Sequence, residues 1–148
     1  NRHRARGCAF AYGRNLVGDW QNGTLYQLDP NLFTDDGNPV LRLRTFPHLL
    51  KDGNRVFYER FIADIQVGTL PGTTLDNPPQ IQLRFSDDRG ASFGNPILQS
   101  MGAAGDYRVA PTWNRLGMAR DRVFEISWST PAKTALNGAF VELSVSQS

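Results

Sequence analysis

Gln80–Ser86 alternates without interruption: Ile81, Leu83 and Phe85 are apolar, while Gln82, Arg84 and Ser86 are polar. That is the period of a strand with one buried face. Arg122–Ser129 repeats it, with Phe124, Ile126 and Trp128 against Glu125 and Ser127, and Ala139–Val145 sets Val141, Leu143 and Val145 against Glu142 and Ser144. The longest signal is Arg55–Val67, which puts Phe57, Phe61, Ala63, Ile65 and Val67 on one face and Arg60, Asp64 and Gln66 on the other. Glu59 interrupts that apolar row, so a bulge or a change of sheet is predicted there. Val40–Phe46 alternates as well: Leu41, Leu43 and Thr45 form one face, and Val40, Arg42 and Arg44 the other. Cys8–Tyr12, Asn15–Trp20, Thr24–Leu28, Ile97–Met101 and Asp106–Trp113 read as shorter strands. Turns are predicted at Gln21-Asn22-Gly23, Lys51-Asp52-Gly53-Asn54, Gly94-Asn95-Pro96, Arg115-Leu116-Gly117 and Pro131–Gly138. With regularly spaced short strands and no helical period, the chain is expected to be all-β, an antiparallel β-sandwich of jelly-roll or Ig-like type. The expected core is Phe85, Phe93, Phe124, Ile126, Trp128, Val141 and Leu143.

The polar cluster after Gln80–Ser86 has the spacing Ser86-x-Asp88-x-Gly90-x-Ser92-Phe93, which looks like an Asp-box hairpin. The Asp88 carboxylate is expected to accept N–H bonds within the turn, Gly90 to supply positive φ, and Phe93 to fold over the hairpin base. Ser92-Phe93 is read as the start of the returning strand. These five residues form a structural turn rather than a reaction centre. Further upstream, Val17–Asp29 resembles a single propeller-blade hairpin without a second copy. The expected organisation is a basic arm or severed linker at 1–7, the blade-like β-hairpin at 8–29, a connecting loop at 30–39 and the sandwich at 40–148.

A length of 148 residues and 40% hydrophobic content suit one packed domain with an appendage. No apolar run approaches the roughly 20 residues of a membrane helix, and no membrane association is expected. Cys8 is the only cysteine, so an intrachain disulfide is excluded; a small buried side chain is expected there. Two histidines, His3 and His48, form no legible catalytic arrangement, and the pairs Asp35/Asp36 and Asp87/Asp88 sit in turns. No catalytic residue, cofactor or metal site is expected. Net charge is only +2, but Lys51 and Lys133 are the only lysines among 16 basic residues. Arginine favours planar carboxylate and phosphate contacts and crowded interfaces. Arg42, Arg44, Trp113, Arg115, Arg120 and Arg122 are therefore the candidates for a partner interface. Direct phosphate contact with DNA is compatible with the pI of about 9.0 without being required by it. A carbohydrate- or surface-binding β module is the alternative function.

Several blocks resemble the C-terminal part of the packaged-DNA stabilisation proteins of short-tailed bacteriophages. They are Val17-Gly18-Asp19-Trp20 with Asn22-Gly23 and Tyr26 to Asp29, then Ser86-Asp87-Asp88 with Gly90. The third joins Trp113-Asn114-Arg115-Leu116-Gly117 to Ala119-Arg120-Asp121-Arg122-Val123-Phe124. The pattern departs from the Asp-box at Arg89, where a second glycine is common, and at Ser92-Phe93, where Thr-Trp is more usual. The resemblance implies a piece of a longer protein, with a propeller-like region ahead of it, which suits a chain that opens on Asn1. It also implies a non-enzymatic virion protein, assembled in the host cytoplasm, that completes the head or extends the tail. Portal and tail proteins would be its partners, a homo-oligomeric ring its full-length form, and retention of packaged DNA its task.

Overall fold

The computed structural model describes residues 4–68, 78–102 and 109–145. The chain divides into two compact units, Asn1–Phe33 and Thr34–Ser148.

The first unit is a three-stranded antiparallel sheet of β1 (Ala5–Ala11), β2 (Arg14–Asp19) and β3 (Leu25–Leu28), in that order. The stretch expected to be a basic arm is therefore ordered into a strand from Ala5, and Trp20 N–H donates to Arg4 O at 3.3 Å. Tyr12 and Gly13 both take positive φ, 53° and 72°, the geometry of a two-residue hairpin between β1 and β2. Asp19 braces the next turn by accepting Gln21 N–H on Oδ1 at 2.6 Å. Register places Cys8 opposite Val17 and Val17 opposite Tyr26, and Asn15 between Phe10 and Leu28. Val17 and Asp19 of the central strand β2 are buried, but β1 and β3 are its edges. Cys8 on β1 is exposed rather than buried, as are Phe10, Tyr12, Leu25 and Leu28.

The second unit opens with a small ladder, β4 (Thr34–Asp35) with β5 (Asn38–Pro39), and continues as an antiparallel β-sandwich. Its strands are β6 (Arg42–Thr45), β7 (Leu49–Leu50), β8 (Val56–Val67), β9 (Gln80–Ser86), β10 (Ile97–Ser100), β11 (Thr112–Asn114), β12 (Met118–Ala119), β13 (Asp121–Trp128) and β14 (Thr134–Val145). One sheet runs β10-β9-β13-β6, with β7 also on β13. In the other, β8 lies between β14 and the pair β11 and β12. No helix occurs among the described residues. The strand expected at Ser92-Phe93 begins only at Ile97, and the turn expected at Pro131–Gly138 is already strand from Thr134.

The core lies between β8 and β13. Phe61 and Phe124 meet across it at 4.9 Å between ring centroids, Tyr58 and Phe124 at 5.5 Å, and Phe61 and Trp113 at 5.8 Å. Ile81 and Leu83 of β9 and Ile126 and Trp128 of β13 complete it. Glu59 is the extra residue of a bulge: Arg60 pairs with Glu142 and Tyr58 with Leu143, leaving Glu59 without an opposite number. The bulge changes which side chains face inward. Above it Phe61, Ala63, Ile65 and Val67 are buried; below it Val56 and Tyr58 are buried and Phe57 turns outward. Two members of the expected core also move. Leu143 lies near the end of the edge strand β14, opposite Tyr58, and is 46% exposed. Phe93 is only half-buried, since it lies in the segment before β10, against Arg84.

The open sides of the sandwich are sealed by side chains. Trp113 Nε1–H donates to Ile97 O at 2.9 Å and joins β11 to β10. On the other side, Arg42 donates to Thr130 O at 2.8 Å and to Ala132 O at 3.3 Å. Arg42 and Arg44 stand opposite Trp128 and Ile126, on the core-facing side of an edge strand, whereas Leu43 stands opposite Ser127 on the outer side. This reverses what alternation alone would put inside.

Candidate interaction surface

Two turns and a buried arginine form a polar site at one end of the sandwich core. In the hairpin after β9, Ser86 Oγ accepts Gly90 N–H at 2.8 Å and donates to Asp88 Oδ1 at 2.5 Å. Asp88 Oδ1 also accepts Ser92 N–H at 2.8 Å, and Oδ2 accepts the Ser92 hydroxyl at 2.5 Å. These donors favour the charged carboxylate. Bonds from the Ser86 hydroxyl, then from the Ser92 hydroxyl and N–H, hold Asp88 down to about 2. Arg89 and Gly90 both adopt positive φ, 63° and 89°. An arginine therefore occupies a left-handed position that a glycine would take without steric cost; its Nε lies 3.5 Å from Asp121. Phe93 folds back over the hairpin base and lies 5.1 Å from the Arg84 guanidinium. Arg84 in turn donates to Glu125 at 2.5 Å, and Thr45 donates to the other oxygen of Glu125 at 3.0 Å. A polar row thus ties β9, β13 and β6 together on their outer face.

The second acid of the hairpin has a different task. Asp87 accepts two bonds from Arg122, Nε at 2.6 Å and Nη2 at 2.7 Å, a bidentate pair. The third guanidinium nitrogen, Nη1, donates to Leu116 O at 2.5 Å. The guanidinium sits 4.0 Å from the centre of the Phe85 ring and 4.5 Å from that of Tyr58. Its side chain is 2% exposed, that of Asp87 45%. Arg122 therefore closes one end of the core and links the hairpin after β9 to the turn Arg115-Leu116-Gly117. Burial pushes the Tyr58 hydroxyl up, against the opposing charge of Arg122, and this hydroxyl donates to Leu49 O at 2.7 Å.

Of the residues expected at a partner interface, Arg122 and Trp113 are interior and cannot serve there. Arg122 is enclosed by rings and carboxylate, and Trp113 is buried against Phe61. Arg42 is half-buried and committed to two carbonyls. Arg44, Arg115 and Arg120 are exposed. A signal for Arg122 was available in the sequence, since it shares the phase of Phe124, Ile126 and Trp128. Ser86, Asp88, Gly90, Ser92 and Phe93 do come together in one turn, whose bonding is internal.

The family model described as bacteriophage P22 Gp10, beta-sandwich, matches residues 42–144, well over half of the chain. No curated protein matches it. The match makes this a structural protein of a bacteriophage, a component of the virion.

Proposed function

We propose, from the premise that this chain belongs to the bacteriophage P22 Gp10 beta-sandwich family, that it is a head-completion or tail-accessory module. It acts at the head-to-tail connection, helping to close the portal and retain packaged DNA. The observation that supports the reading is the extent of the family match, which spans the sandwich from β6 into β14. The polar chemistry fits a passive building block. Asp88 braces a turn, Asp87 and Arg122 join two turns, and Glu125 joins strands. His48 lies 2.9 Å from Asp121, linking the segment before β7 to β13. In this reading Arg44, Arg115 and Arg120 are the side chains available to portal and tail proteins, and the full-length protein forms a homo-oligomeric ring assembled in the host cytoplasm. Retention of DNA by a protein plug needs no base contact.

Co-sedimentation of the chain with purified portal rings and with the assembled tail tests the proposal. Binding weakened by combined Arg44→Glu and Arg120→Glu substitution is expected. Failure to bind either assembly would overturn the neck role.

A further inference from the structure

The dipeptide Asn-Gly occurs at Asn22-Gly23 and again at Asn137-Gly138. Asparagine is a chemically labile residue. It is most labile ahead of glycine, where no side chain obstructs attack of the next main-chain nitrogen on the asparagine amide. The two sites are built differently. At the first, both ends of the side chain are held: Asn22 Oδ1 accepts Thr24 N–H at 2.9 Å, and Nδ2 donates to the Tyr26 hydroxyl at 3.1 Å. The attacking nitrogen is engaged as well, since Gly23 N–H donates to Asp19 O at 3.1 Å. At the second, Asn137 is exposed, and its side chain makes no hydrogen bond among the described residues. Asn137 is also the extra residue of a bulge in β14. Leu136 pairs with Ile65 and Gly138 with Asp64, which are neighbours on β8, so no β8 residue stands opposite Asn137. A bulge residue is released from the ladder that fixes the strand around it, and an amide free to turn reaches the attack geometry more often than one that is tied. Gly138 is open too: a Cβ there would meet no atom within 4 Å, and its φ is not positive.

We propose that Asn137 is a site of spontaneous deamidation, with water as the only co-reactant. The Gly138 nitrogen loses its proton and bonds to Asn137 Cγ, the Cγ–Nδ2 bond breaks, and ammonia leaves from a closed succinimide. Water then opens the ring at either carbonyl. One opening gives aspartate with the main chain restored; the other gives isoaspartate, whose main chain runs through Cγ. No electrons change hands. Either product adds a carboxylate to a strand whose one charged residue is Glu142, next to the position that faces Asp64. Among the described residues β14 pairs only with β8, so the new charge arises on a sheet edge, where charge opposes pairing with other strands. Isoaspartate also lengthens the main chain by a carbon, at the point where the ladder is already interrupted. The inference does not depend on the neck role.

Peptide mass spectrometry of the whole chain, incubated in neutral and in mildly alkaline heavy-oxygen water, tests it. Each conversion takes up a heavy oxygen atom, and retention time separates isoaspartyl from aspartyl peptides. Asn137 is expected to convert about tenfold or more faster than Asn22, and faster in the alkaline buffer. Gly138→Ala, which fits the open space, is expected to melt like the parent and to slow conversion at Asn137 about tenfold or more by obstructing the nitrogen. Equal rates at the two sites, or a folded Gly138→Ala variant that converts as fast as the parent, would overturn the proposal. If that variant does not fold, the parent in urea decides. Both sites lose their surroundings there, so convergence of the two rates supports the proposal, and a ratio that survives unfolding refutes it, because flanking sequence rather than the fold would then set the difference.

Discussion

Removing Asp87 and removing Arg122 break the same ion pair, yet they leave different orphans. Asp87→Ala leaves a guanidinium inside the protein, between Phe85 and Tyr58, with Leu116 O as its remaining hydrogen-bond acceptor among the described residues. A guanidinium cannot escape by losing its proton. Breaking a fully buried pair costs about 3–5 kcal/mol. Because Asp87 is 45% exposed, water already screens part of the pair, and the expected cost falls to about 2–3 kcal/mol. Arg122→Ala leaves a carboxylate that water can solvate. Its cost comes from elsewhere: about 1–3 kcal/mol for the unpaired Leu116 carbonyl and about 2 kcal/mol for the desolvated ring contacts. Arg122→Lys keeps the charge but loses the fork, so it is expected to recover only part of that loss. Urea denaturation followed by fluorescence of Trp113 and Trp128, closed as a double-mutant cycle with Asp87→Ala/Arg122→Ala, measures the coupling. If Asp87→Ala stays within about 0.5 kcal/mol of the parent, the range of an inconsequential surface change, the pair does not hold the two turns together and the reasoning fails.

Two further outcomes follow from the hairpin and the bulge. The folded-state value of Asp88 is depressed to about 2 from an ordinary 3.8, so the turn gains stability that is complete above the ordinary value and is lost as pH falls from about 4 towards 2. Asp88→Asn should flatten that dependence of the melting temperature, and an identical acid limb in parent and variant would remove Asp88 as its source. Deleting Glu59 would turn Val56 and Tyr58, each 1% exposed, out of the core. At about 1.5–3 kcal/mol for each large side chain, the loss is a large part of a typical domain's 5–15 kcal/mol. A thermal melt as cooperative as the parent's, at the same midpoint, would show that the bulge does not set the phase of β8.

Much of this architecture is legible in the chain of residues alone. Alternation in Gln80–Ser86 and Arg122–Ser129 identifies β9 and β13, and the misplaced Glu59 marks the bulge, because side chains in a strand have nowhere to go but one face or the other. The internal bonding of the Ser86–Phe93 turn is likewise local: its donors and acceptors lie within seven residues, where spacing is informative. Tertiary structure decided what depends on distant neighbours. Alternation says that Arg42 and Arg44 share a face but not which face is covered, and on an edge strand the arginines line the rim of the core while Leu43 faces outward. Arg122 has the phase of a core residue and the chemistry of a surface one. Asp87, brought from 35 positions away, together with the Phe85 and Tyr58 rings, resolves that conflict in favour of burial. Trp113 is interior for a related reason, since its indole N–H finds Ile97 O on the opposing sheet. A periodic pattern sorts side chains into two faces; only the packing of one sheet on another, and the partners it delivers, determines which face can hold a charge.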